Sequence, residues 1–192
     1  MTRPAAVLFA VVLSAVAIAA PVPKALKKGG PEWMPLDSGA KWEYVAADDN
    51  STTTDTREIT SASEKDGFHF ASQRTINLTQ EFRRDADGVA VVKTTNRGDT
   101  KPRYIIKHAM KEGDTWENDL GGYTETRTVG KVEKIKLPAG EFEAVPVQFK
   151  YVQNGTQFQS GTVWYADGVG LVRIDTEGSS SEVLKAFTPG KK

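Results

Sequence analysis

Apolar residues recur at every second position in several stretches of the chain. Trp42, Tyr44 and Ala46 form one such series, followed by Ile76, Leu78 and Phe82, then Tyr104, Ile106 and His108. Val145, Val147, Phe149 and Tyr151 form the longest, and Val183 with Phe187 the last. A period of two places each series on one face of an extended strand, with the other face left to water. No stretch carries the 3.6-residue period of an amphipathic helix. Thr, Val and Ile outnumber Leu and Met, a bias toward the pleated, half-buried surfaces of strands.

Turn signals separate the strands. Asn154-Gly155 is the strongest, because a two-residue type I′ hairpin needs positive φ at both central positions. Asp87-Gly88, Asp167-Gly168 and Asn96-Arg97-Gly98 read the same way. Pro146 sits inside a strand pattern without an N–H to donate, which predicts a bulge or an edge there.

The chain also matches itself. Leu36-Asp37-Ser38-Gly39-Ala40-Lys41-Trp42-Glu43 aligns with Met110-Lys111-Glu112-Gly113-Asp114-Thr115-Trp116-Glu117 at an offset of 74 residues. Ala86 to Lys93 aligns with Ala166 to Arg173 at an offset of 80, in the same order. Two meanders follow from this, at 33–108 and 109–189, each opened by a turn that delivers a Trp. A meander of that length cannot readily bury its apolar face alone, so both belong to one β domain over 33–189. The expected fold class is all-β: an antiparallel curved sheet or open half-barrel with few or no helices.

The first 19 residues are of another kind. Thr2-Arg3 precede an apolar run from Ala5 to Ala19 of signal-peptide length, too short to cross a bilayer comfortably. Ala17-Ile18-Ala19 predicts cleavage after Ala19 and an extracytoplasmic mature protein, the alternative being a retained anchor. Residues 20–32, rich in Pro, Lys and Gly, read as a flexible tether.

Composition narrows the functional classes. The 192 residues hold 25 Lys+Arg against 25 Asp+Glu, without the basic excess that a nucleic-acid binder needs. With no Cys, disulfides, lipid attachment at a thiol, thiol catalysis and Cys-ligated zinc are excluded.

Candidate chemistry is sparse. His69 and His108 could meet across a sheet, but zinc would need a further ligand and no His-Glu-x-x-His is present. Asp48, Asp49, Asn50 and Asp55 suggest calcium, yet a loop counted from Asp48 has Thr53 where Gly is required and Ile59 where the bidentate Glu belongs. Asp85 and Asp87 could form an acid–base pair, although the second meander has Tyr165 at the place of Asp85, and Asp-Gly is turn chemistry in its own right. No Gly-x-Ser-x-Gly elbow occurs. Trp33, Trp42, Trp116 and Trp164 could stack on flat ligands such as sugars, against which stands burial in the core. No catalytic, cofactor or metal residues are assigned, and no cofactor is expected.

Leu36 to Tyr44, Leu137-Pro138-Ala139-Gly140-Glu141-Phe142-Glu143, and Val163 to Arg173 together resemble a family of exported bacterial β-proteins of unknown function, the TapB-like group. The resemblance covers most of 35–187. It implies a curved antiparallel sheet in or outside the envelope and a distant kinship with lipoprotein-carrier half-barrels, without the helices that close those carriers. It transfers no catalytic residues.

These readings converge on an exported, non-enzymatic binding or assembly module of the cell envelope. One alternative is a carrier of an apolar or lipid ligand lined by Val147, Phe149, Tyr151 and Trp164. Another is a carboxylate-based hydrolase using His69 or His108. The expected partner is an envelope protein or an apolar small molecule, with no nucleic acid and no span left after signal removal.

Overall fold

The computed structural model describes residues 32–46, 54–95, 98–179 and 181–191. The predicted signal, most of the tether, and the predicted loop residues Asp48, Asp49, Asn50, Asn96 and Arg97 lie outside them. Thirteen strands follow in chain order: β1 (Lys41–Ala46), β2 (Thr54–Lys65), β3 (Phe68–Arg74), β4 (Thr79–Arg84), β5 (Gly88–Thr94), β6 (Gly98–Lys107), β7 (Thr115–Asp119), β8 (Thr124–Val129), β9 (Glu133–Leu137), β10 (Gly140–Gln153), β11 (Thr156–Ala166), β12 (Gly170–Thr176) and β13 (Glu182–Thr188). No helix occurs among the described residues.

All pairs are antiparallel, and the hydrogen-bonded path runs β6-β5-β4-β3-β2-β1-β13-β12-β11-β10-β8-β7, with β9 attached to β10. The expected curved sheet is therefore present and is carried almost to closure, as a nearly closed barrel. Its free edges, β6 and β7, end beside each other, bridged by side chains. Bringing β6 beside β7 covers much of the edge that an open sheet would expose.

The inner face explains the period of two. Trp42, Tyr44, Ile59, Ala71, Phe82, Ile106, Val129, Val147, Phe149, Tyr165, Val172 and Leu184 are all buried in one core. One barrel end is crossed by residues 32–36, with Met34, Pro35 and Leu36 buried. This segment is pinned by Gly168 N–H to the Glu32 carbonyl (2.8 Å) and by Arg84 Nη2 to the Met34 carbonyl (2.7 Å). The expected tether thus ends at a fixed plug.

Two departures from the alternation have local causes. Ile76 and Leu78 lie in the β3–β4 turn, where Ile76 is 73% exposed, and only Phe82 of that series points inward. In β6 a register shift opposite Val89 and Ala90 sets Tyr104 and Ile106 on opposite faces, although their spacing puts them in phase. Pro146 sits where β10 changes partner from β9 to β8, and its carbonyl accepts the Gly130 N–H (2.8 Å). A ladder N–H is dispensable there. Asn154 and Gly155, at φ 50° and 78°, make the predicted two-residue hairpin.

The two turns that align in sequence also align in bonding. Gly39 and Gly113 have φ of 83° and 88°, a region that an L side chain enters only with strain. The Gly39 N–H donates to the Ile59 carbonyl and Ile59 N–H returns to Ala40, while Gly113 donates to Val129 and Val129 returns to Asp114. Ala40 N–H closes the first turn on Asp37, and Asp114 N–H closes the second on Lys111.

Candidate functional site: two arginine clamps and the seam

Downstream of each turn the register repeats as well. Trp42 pairs with Arg57 and Tyr44 with Asp55, while Trp116 pairs with Arg127 and Asn118 with Glu125. Asp55 and Arg57 are two apart on β2, as Glu125 and Arg127 are on β8, so each acid and arginine share the inner face. Arg57 Nε donates to Asp55 Oδ2 (2.8 Å), and Arg127 Nε donates to Glu125 Oε1 (3.0 Å).

Each guanidinium then reaches over its neighbouring strand, β1 or β7, to the strand beyond it, β13 or β6. Arg57 lies 4.4 Å above the Tyr44 ring and donates to Glu182 on β13. Arg127 donates from Nη1 to the Ile105 carbonyl of β6 (3.0 Å) and from Nη2 to Glu125 (2.7 Å). At the first junction β1 and β13 also share a backbone ladder along the length of β1. At the second, side chains substitute for the ladder. Trp116 Nε1 donates to the Tyr104 carbonyl (2.8 Å), Asn118 accepts the Tyr104 N–H, and Lys101 pairs with Asp119 across the rim (2.7 Å).

The β8 pair is the more deeply placed, Glu125 at 0% exposure and Arg127 at 5%. Both Glu125 oxygens are satisfied, Oε2 by Asn118 Nδ2 (2.8 Å). Burial pushes the Glu125 carboxyl up, but Arg127 beside it, its hydrogen bonds and the charge of Arg103 outweigh burial and hold it below the usual carboxylate range. Burial likewise pushes the Tyr44 and Tyr165 hydroxyls up, so both stay neutral, and Tyr44 donates to the Leu171 carbonyl (2.8 Å). Arg103 Nη1 donates to the Tyr151 hydroxyl (3.2 Å), extending the network toward the rings of Tyr123 and Phe158, which lie 5.8 and 5.9 Å from that of Tyr151. Phe158 is 55% exposed. One end of the interior is thus polar and aromatic, and the other apolar and plugged.

Of the four residues expected to line a ligand, the structure brings three together. Val147, Phe149 and Tyr151 share the inner face of β10, Val147 and Phe149 buried and Tyr151 half-buried beside Phe149 (5.5 Å between rings). Trp164 pairs with Pro146, one residue out of phase, and so lies on the opposite face. There its indole donates to Glu133, and Arg173 stacks on it at 4.9 Å.

His69 and His108 do not meet. His69 Nδ1 contacts Glu64 (2.7 Å), whereas His108 Nε2 donates to the Asp85 carbonyl (2.7 Å). Asp85 is a turn cap, accepting the Asp87 and Gly88 N–H groups on Oδ1 and Arg83 and Tyr104 on Oδ2. Burial raises its carboxyl, but these bonds together lower it below the ordinary range, the reverse of what a general acid needs. Asp55 is held by Arg57. Among the described residues no three His, Asp or Glu gather as metal ligands.

Sequence reading missed the clamp although its signal is present: Thr54-Asp55-Thr56-Arg57-Glu58-Ile59 and Thr124-Glu125-Thr126-Arg127-Thr128-Val129 share acid, Arg and β-branched positions. Their offset is 70 where the flanking Trp pair gives 74, so a comparison at fixed offset passes over them.

Solved structures of two bacterial proteins have the same fold. One is a predicted exported protein with a YmcC-like fold from Bacteroides fragilis, with a TM-score of 0.57 and 15% identity over 82% of this chain and 99% of that one. The other is a predicted lipoprotein from Parabacteroides distasonis, with a TM-score of 0.54 and 13% identity over 84% of this chain and 100% of that one. No curated protein matches the sequence. The narrower TapB-like likeness is not among these findings, and the family model that does match, over residues 40–181, places the chain in the DUF3108-like family.

Proposed function

We propose that the protein is an exported, non-enzymatic binding or assembly module of the cell envelope that works through its surface and rims. The filled interior carries this reading. Tyr44, Ile59, Phe82, Ile106, Val147, Val172 and Leu184 are almost wholly buried in the barrel, residues 34–36 cross one end, and the arginine clamps cross the inner face toward the other. A carrier of an apolar ligand needs an interior of about 300 Å³ or more free of side chains. Here Val147 and Phe149 pack into the core, and Trp164 is on the other face.

Export is supported by the apolar run ending at Ala19 and by the exported and lipoprotein descriptions of the two structures with this fold. Within the family, the Leu137–Glu143 turn and the Val163–Arg173 hairpin favour the TapB-like group. Site-specific photo-crosslinking in intact cells tests the reading. A benzophenone amino acid at exposed Ile76, Val132 or Phe158 is expected to give a discrete adduct with a second macromolecule. Adducts with lipid alone would contradict it.

A further inference from the structure

Trp42 and Trp116 follow matching turns and face matching arginines, yet their surroundings differ. Trp42 is 2% exposed, packs on Phe187 (5.4 Å between rings) and donates its indole N–H to the Val169 carbonyl (2.6 Å). Trp116 is half-buried and forms a wall of a cleft of about 400 Å³, between the β6–β7 corner and the β4–β5 turn. The volume lies in the range of small-ligand sites. Asp87, Lys107, His108, Asp114 and Thr115 complete the polar part of the lining.

The chemistry of this lining is specific in three respects. The Trp116 N–H is committed to the Tyr104 carbonyl, which fixes the ring and leaves it to offer an apolar surface rather than a donor. His108 Nε2 faces a carbonyl, which can only accept, so Nε2 carries a proton and is committed there, leaving Nδ1 for a ligand. Asp114 Oδ2 accepts the Lys111 N–H (2.8 Å), and Lys107 Nζ rests 3.8 Å from the centre of the Tyr104 ring. Asp87 and Asp114 face Lys107 and His108, a net charge between −1 and 0, too small to select a polyanion or a polycation.

An aromatic wall ringed by balanced donors and acceptors matches a neutral, hydroxyl-rich ring. We propose that this cleft binds a short neutral saccharide, stacked on Trp116 with its hydroxyls on Asp87, His108 and Asp114. The proposal rests on the reading of the protein as a binding module and names one ligand class for it.

The test is a titration of the ¹⁵N-labelled protein with cellotriose, maltotriose and triacetylchitotriose. At least one is expected to give saturable shifts at the Trp116 indole N–H and the amides of His108 and Thr115, with the Trp42 indole unmoved. Ala109→Trp, on the exposed rim of the cleft, is expected to weaken binding about tenfold or more with an unchanged Tm, and Asp87→Asn about tenfold. Absence of a saturable shift at Trp116 with all three sugars, or saturable shifts elsewhere with Trp116 silent, overturns the saccharide assignment. Either result leaves the binding-module reading to its own cross-linking test.

Discussion

Asn118 holds both backbone polar groups of Tyr104: its Oδ1 accepts the Tyr104 N–H at 2.9 Å and its Nδ2 donates to the Tyr104 carbonyl at 3.1 Å. One side-chain amide thereby plays the part of a peptide group on a neighbouring strand. The equivalent position on β1 is Tyr44, and there the backbone of β13 supplies the ladder. The barrel therefore has one joint made of backbone and one made of side chains. Buried backbone groups must be paired somewhere, which is why a polar Asn occupies an inner-face position otherwise given to hydrophobic residues.

Replacing Asn118 by Leu keeps the volume and removes the partners of Tyr104 N–H and Glu125 Oε2. Leaving these groups unpaired is expected to cost about 2–4 kcal/mol in urea unfolding. Hydrogen exchange of the Tyr104 amide should quicken by more than that of amides in the β1–β13 ladder. Equal acceleration at both joints would argue against a distinct seam.

Acid should act on Glu125. Its folded pKa is depressed, so its contribution to stability is present above the unfolded value of about 4.3 and is lost as pH falls through the lower folded value. Asp85 adds in the same direction. The urea midpoint is expected to fall as pH drops below about 4.5. Glu125→Gln should flatten that dependence while costing about 3 kcal/mol or more at neutral pH, because Arg127 is left buried without its counter-charge.

The two clamps should differ in weight. Arg127→Met strands a carboxylate at 0% exposure, whereas Arg57→Met leaves Asp55 and Glu182 at 19% and 39% exposure. The first is expected to destabilise by about 3–5 kcal/mol and the second by less than half of that. Double-mutant cycles with Glu125→Gln and Asp55→Asn would measure each coupling, and equal values would refute the ranking.

Gly161 on β11 faces the Phe149 ring. A Cβ there would lie 2.2 Å from the Asp175 carbonyl oxygen and 2.6 Å from Phe149 Cζ. Gly161→Ala is expected to cost about 2 kcal/mol or more, since backbone on one side and a packed ring on the other must both move. Phe149→Leu in the same chain should recover part of the loss, as read by thermal unfolding.

Much of the fold was legible in the residues themselves. Val145 to Tyr151 and Trp42 to Ala46 kept their alternation because each strand is inward on one side only, and Asn154-Gly155 set its hairpin through local φ preferences. The β3–β4 turn misled because Leu78 is half-buried although it lies outside a strand. Closure was not legible, since it depends on how far a sheet curves, and on Asn118 and Arg127 meeting β6 across non-local distances. The clamp residues read as ordinary polar strand positions: alternation says which face a side chain takes but not whether a charged one finds its partner there. Trp164 parts from Val147, Phe149 and Tyr151 for the converse reason, one residue of register being enough to exchange faces.

A filled barrel with no apolar cargo is the central claim, and native mass spectrometry of the mature protein from its own envelope, followed by solvent extraction, tests it most directly. The expected result is the mass of the chain cleaved near Ala19, or a whole-number multiple or a complex with a second macromolecule, with no extractable lipid. A stoichiometric excess of a few hundred daltons, released by solvent as apolar material, would contradict the claim and restore the carrier.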